Sequence, residues 1–185
     1  KVLNISKFTF DKKLANQRTR EITEKVMANY ESGDKRISKD KPRILITGCP
    51  IGKSTEKVVR LVEENGGVVV CFENCTGVKK NEDLVKEDIE PIDALTEKYL
   101  KTPCSCMSPN DNRLDLLSEL IEEYQVDGVI DMVLQACHTY NVETFRIKEF
   151  LNSTKDIPYL NLETDYSQSD LGQLKTRISA FIEML

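Results

Sequence analysis

Apolar residues fall along this chain in two rhythms. Short unbroken runs are bounded by polar residues: Ile44-Leu45-Ile46-Thr47, Val68-Val69-Val70-Cys71-Phe72, and Val129 to Leu134, interrupted only by Asp131. Such runs suit strands buried on both faces of a parallel sheet. Pro158-Tyr159-Leu160-Asn161-Leu162 reads as a fourth strand. Between the runs the spacing is helical. Ser54 predicts the cap of a helix running to about Glu64, with Asn65-Gly66-Gly67 as its stop. A second helix is predicted around Asp93–Leu100. Ser108-Pro109-Asn110-Asp111 predicts a capped start for the next, with Leu114, Leu117, Leu120, Ile121 and Tyr124 as its apolar face. Further helices are predicted over about Val142–Leu151 and along Leu171, Leu174, Ile178, Phe181 and Ile182.

Strands separated by helices imply parallel pairing with right-handed crossovers. The fold class is therefore α/β: a four-stranded parallel sheet flanked by helices, a three-layer flavodoxin- or Rossmann-like domain over residues 42–185. Ahead of it lies a helical arm and linker, residues 1–41. Residues 8–30 read as one helix, because Phe10, Leu14, Ile22, Val26 and Tyr30 recur at multiples of four. That stripe is expected to dock on the main body or on a missing partner segment.

The 185 residues allow one sizeable core and an extension. No apolar run approaches the length of a membrane-spanning helix, so no membrane partner is expected. The first 43 residues carry a net charge of +6 and the remainder −11. The acidic bulk argues against nucleic acid as a partner. The chain begins at Lys1 with neither an initiator Met nor a signal pattern, and reads as a piece of something longer. Six cysteines without a secretory signal point to reduced thiols in the cytoplasm, where such sets bind metals or do chemistry. Cys71, inside an apolar run, reads as a core residue.

The other five cysteines share a placement. Cys49 follows the first predicted strand, Cys75 the second and Cys137 the third, while Cys104 and Cys106 precede the helix predicted at Ser108. Ligands of open α/β sheets bind outside the carboxyl ends of the strands. A helix N-terminus favours thiolate over thiol, and thiolates in sets of three or four hold zinc or iron–sulfur clusters. The five are therefore candidate metal ligands. The bland alternative is that some are ordinary core or loop cysteines.

Gly48-Cys49-Pro50-Ile51-Gly52-Lys53-Ser54-Thr55 imitates a phosphate-binding loop, but has three residues between its glycines where the motif needs four. Gly48 and Gly52 read instead as positions that let the backbone approach a bound group. His138, the only histidine, is a candidate proton donor or a satisfied structural residue. Glu163 and Asp165, past the fourth predicted strand, are candidates to carry protons, or to cap a helix or pair with Arg177. The run from Lys79 to Asp83 reads as a solvated loop.

Taken in order, Gly48-Cys49-Pro50, Phe72-Glu73-Asn74-Cys75-Thr76-Gly77, Cys104-Ser105-Cys106, Asp127-Gly128-Val129-Ile130 with Cys137, Leu162-Glu163-Thr164-Asp165, and Gln173 to Leu185 form a specific set. Over residues 42–185 the chain resembles the C-terminal half of the 2-hydroxyacyl-CoA dehydratase family, of the 2-hydroxyglutaryl-CoA dehydratase D-component type. The resemblance implies two similar α/β domains with an iron–sulfur cluster between them. It implies a separate ATP-hydrolysing activator that delivers low-potential electrons, an acyl-CoA or other small-molecule substrate, and a dimeric assembly. In the dehydratases that electron makes a ketyl radical from a 2-hydroxyacyl-CoA, and water leaves. Cys137 matches the expected cluster ligand from this half; other ligands would come from a missing N-terminal half or sister subunit, so the isolated chain is expected to hold little or no intact cluster. Cys75, Cys104 and Cys106 depart from the plain dehydratase pattern. They make the chain look more like the double-cubane cluster branch of ATP-dependent reductases, where two joined cubanes need more thiolates. The competing class is a non-catalytic zinc- or thiol-binding interaction module.

Overall fold

The computed structural model describes residues 9–33, 37–80 and 82–185, with the Lys80 side chain left aside. The chain divides into two compact units, residues 1–41 and Pro42–Leu185. In the first, helix α1 (Lys12–Glu31) starts where Asp11 accepts a hydrogen bond from the Leu14 backbone N–H at 3.0 Å. The sequence placed this start at residue 8, which lies outside the described residues. None of the residues of α1 is buried.

The second unit alternates strand and helix as the pattern predicts. Its elements are β1 (Arg43–Gly48), α2 (Glu56–Glu64), β2 (Val68–Glu73), α3 (Pro91–Leu100), α4 (Asp111–Glu123), β3 (Gly128–Leu134), α5 (His138–Phe150), β4 (Tyr159–Thr164) and α6 (Leu171–Glu183). The four strands form one sheet in the order β2-β1-β3-β4, and every pair is parallel. That is the flavodoxin-like order, whose direction of winding reverses between β1 and β3. Leu45 and Val129 stand in register and face α4 and α5, joining a core with Leu117, Leu120, Ile147 and Leu151. On the other face α2 packs with α6. Among the described residues no helix is long and apolar enough to cross a membrane.

Several boundaries move from their sequence positions, each for a physical reason. Helix α2 starts from Thr55, not Ser54, because the buried Thr55 hydroxyl accepts the Gly52 N–H at 2.8 Å. Helix α4 starts after Asn110. Ser108 and Pro109 stay outside it, joined by a cis bond, and the Asn110 side chain donates to Glu143 at 2.8 Å instead of capping. Helix α5 begins four residues before the predicted Val142, since His138 to Asn141 carry little apolar periodicity. Strand β4 runs on to Thr164 because Glu163 and Thr164 still pair with Val133 and Leu134.

The carboxyl end of β1 turns on Gly48. Its φ of +98° lies in the left-handed region, and the Cys49 N–H donates to the Met132 carbonyl at 2.8 Å. A Cβ at Gly48 would lie 2.2 Å from that same carbonyl oxygen, a backbone atom that cannot swing away. Gly66 has a similar φ of +100° but nothing within 4 Å. Gly66→Ala should therefore cost only the backbone term, about 1 kcal/mol. Gly48→Ala adds the clash and should cost roughly 3 kcal/mol. Urea denaturation of the two variants measures the difference; equal losses would show that β3 does not crowd Gly48.

Candidate functional site

The switch point between β1 and β3 carries two thiols. Cys49 follows β1 directly and is buried. Its Sγ accepts the Leu134 N–H at 3.4 Å, and burial chiefly pushes its pKa up to about 11. Cys137 stands at the cap position of α5, three residues beyond β3. Its ionisation is favoured first by the Tyr140 backbone N–H, then by the hydroxyl of Thr139 and the thiol of Cys49. A helix N-terminus thus stabilises the Cys137 thiolate through its own unpaired amide, with the neutral Cys49 thiol nearby. The turn between β3 and α5 bends at Ala136, whose φ of 63° is strained for a residue with a Cβ.

Three more thiols lie around the Tyr140 side chain. The Cys75 Sγ is 4.0 Å from the Tyr140 hydroxyl. Cys104 and Cys106 share a turn closed by the Met107 N–H on the Cys104 carbonyl at 2.9 Å, and their sulfurs are 3.3 Å apart. Burial works against the Cys104 thiolate, yet it is outweighed by the Cys106 backbone N–H, the Cys106 thiol and the charge of Lys79. Cys106 moves the opposite way, raised by its hydrogen bond to Cys104. The helix-end effect foreseen for this pair is absent, since α4 begins only at Asp111.

Under these thiols lies a buried charged network. Arg113 of α4 is fully buried and reaches three elements. It donates to Thr47 on β1 at 2.9 Å, contacts Glu73 on β2 at 3.4 Å and meets Glu143 on α5 at 3.3 Å. Lys79, 3% exposed, pairs with the other Glu73 oxygen at 2.7 Å. Both cations also face the Tyr140 ring, at 5.8 Å for Lys79 and 5.3 Å for Arg113 from its centre. Asp131 of β3 accepts from the Tyr159 hydroxyl at 2.9 Å and from Thr144 at 3.0 Å, while its other oxygen has no partner. Burial raises the Asp131 pKa, which favours its protonated form.

The positions singled out in the sequence divide accordingly. Cys49 and Cys137 meet at the switch point; Cys75, Cys104 and Cys106 gather beside Tyr140. Among the described residues no three His, Cys, Asp or Glu side chains are arranged to hold one ion by themselves. Gly48 is crowded by β3, whereas Gly52 faces open space. Lys53 is exposed. His138 is exposed in the first turn of α5 and makes no side-chain hydrogen bond among the described residues. Glu163 lies exposed on β4 itself. Arg177 donates to the Asn161 carbonyl at 2.6 Å and does not pair with Asp165, which instead lies 3.8 Å from the buried Lys57. Lys79 is buried, so the run beginning there is not wholly a solvated loop.

Arg113, Glu73, Lys79, Asp131 and Tyr140 were not recognised from the sequence as site residues. Two signals were present. Asp131 interrupts an otherwise apolar strand, and Arg113 occupies the same helical face as Leu117 and Leu120.

Comparison with known proteins agrees with the ordered motifs. The family described as 2-hydroxyglutaryl-CoA dehydratase, D-component, matches residues 2–185. The chain is 54% identical over 185 residues to an Escherichia coli (strain K12) protein named "Putative dehydratase subunit YjiM". That match covers 100% of this chain and 48% of the relative, so the chain spans about half the relative's length.

Two outcomes follow. On the reduced native chain near neutral pH, iodoacetamide should alkylate Cys137 first, and Cys106 should gain more than Cys137 from a move to alkaline pH. Cys49 and Cys71, the latter pushed by burial to about 12, should label only on unfolding. Peptide mass spectrometry reads the order, and early labelling of Cys49 would contradict it. Arg113→Met should cost about 3–5 kcal/mol in urea denaturation, because Glu73 is left buried with one cation fewer. A loss within experimental scatter would show the network to be dispensable.

Proposed function

This chain belongs to the 2-hydroxyglutaryl-CoA dehydratase D-component family, and we propose that it is the thiolate-bearing part of an iron–sulfur enzyme of that kind. The enzyme is an activator-dependent 2-hydroxyacyl-CoA dehydratase or a related low-potential reductase of the double-cubane type. The observation that carries the reading is the gathering of five thiols on the first turn of α5 and the loops beside it, at the carboxyl edge of the sheet. The donor set fits the group. Iron–sulfur clusters are held by thiolates, and the surroundings of Cys137 and Cys104 favour ionisation.

Cys137, Cys104, Cys106 and Cys75 would hold the cluster. Cys49, neutral and buried, lies behind Cys137 as the fifth thiol and is the least ready of the five to ligate. Bound there, the cluster would supply single electrons of low potential. The Tyr140 backbone N–H and hydroxyl, with Arg113 and Lys79 behind the ring, fix the thiols and offset their negative charge. His138 and Glu163, exposed along this edge, are the candidates for moving protons on an acyl-CoA or other small-molecule substrate. The relative's name, a dehydratase subunit, supports a partner subunit that contributes the remaining ligands. ATP hydrolysis is assigned to a separate activator, since the loop before Lys53 is one residue short of a phosphate cradle.

The test is anaerobic iron and sulfide analysis of the chain purified together with its partner. Brown protein with matching iron and sulfide is expected. Cys104→Ser and Cys106→Ser should lower the iron content without lowering the unfolding midpoint, because serine keeps the size but is a poor ligand. Colourless protein carrying zinc would favour a thiol-based binding module. Full iron in both variants would remove the double-cubane form of the proposal.

A further inference from the structure

The close approach of Cys104 and Cys106 has chemistry of its own. Their sulfurs are 3.3 Å apart, against about 2.05 Å for a disulfide. The turn closed from Met107 to Cys104 holds the two side chains together at its first and third positions. Closing the remaining gap needs side-chain rotation in a surface loop, not movement of a helix or strand. Cys106 is exposed and Cys104 half-buried, so a small molecule can reach the first sulfur while the second waits beside it. The third thiol of this group, Cys75, approaches the Tyr140 hydroxyl and not either of these sulfurs.

We propose that Cys104 and Cys106 form a reversible intra-loop disulfide by exchange with a low-molecular-weight disulfide, making this turn a redox modification site. The Cys106 sulfur, exposed and losing its proton as it attacks, bonds to one sulfur of the small disulfide. The S–S bond of that molecule breaks and one small thiolate leaves. Cys104 then attacks the Cys106 sulfur in the mixed disulfide, and the second small thiolate leaves. The two cysteine protons end on the two departing thiolates. The pair loses two electrons, and the small disulfide gains them. A disulfide spanning one residue is strained and exposed, and such bonds are the labile ones, open to reduction by ordinary thiols. Oxidised, the pair offers no thiolate to a metal.

The exchange does not depend on the iron–sulfur reading, so the two fail separately. The whole reduced chain is incubated anaerobically with oxidised glutathione, and then digested with trypsin. The fragment from Thr102 to Arg113 holds both sulfurs and no other cysteine. It should become lighter by two hydrogen atoms, resist iodoacetamide, and recover its labelling after dithiothreitol. Cys104→Ser should instead retain one glutathione on Cys106, and Cys75→Ser should leave the cross-link unchanged. Two glutathiones on the wild-type fragment, a cross-link to Cys75 or Cys137, or no modification at all would overturn the proposal.

Discussion

Arg113 reaches from α4 across the carboxyl end of the sheet to Thr47, Glu73 and Glu143, and the thiol-bearing loops depend on that reach. A guanidinium stripped of water is stable only when its donors are used and its charge is met. Here both conditions draw β1, β2, α4 and α5 to one point. Burial alone would weaken the cation, but Glu73, Asp131 and Glu143 outweigh it and keep Arg113 charged. Lys79 completes the set from the loop after β2. In consequence the segments carrying Cys75, Cys104 and Cys137 are all anchored to one buried charged cluster.

Tyr140 carries that anchoring to the surface. Its ring lies against both cations, its hydroxyl approaches Cys75, and its backbone N–H favours the Cys137 thiolate. One residue thereby touches both groups of sulfurs. Cys49 stays protonated in the apolar layer below, where it accepts the Leu134 N–H. A second network closes the other side of the edge. Lys57 of α2 binds the Ser167 carbonyl at 2.7 Å and pairs with Asp170, which accepts from Thr164 at 2.6 Å. The loop from β4 to α6 is fixed without any contribution from the sulfurs.

The sheet was legible because its signals are local. Unbroken apolar runs such as Ile44–Ile46 and Val129–Leu134 mark buried parallel strands whatever lies around them. The placement of the thiols followed from chain order alone, since each succeeds a strand or precedes a helix. The supports were harder to read. Nothing near Lys79 in the sequence tells that its partner is Glu73, and nothing near Tyr140 tells that two cations lie behind it. Such pairings are decided by long-range contacts. Helix starts were displaced for the same reason: the cap was expected at Ser108, but α4 starts after Asn110, whose side-chain amide goes to Glu143, thirty-three residues away. The ionisation of Cys104 was foreseen, yet from the wrong source. Its neighbours are a turn amide and Lys79, not the N-terminus of α4.

The central claim is that these thiols hold iron. Anomalous diffraction at the iron edge, from anaerobically grown crystals of the chain with its partner, tests it most directly. Iron peaks bonded to the sulfurs of Cys137 and of Cys104 or Cys106 are the predicted result. Crystals with iron elsewhere, or with these sulfurs bound to zinc alone, would contradict it.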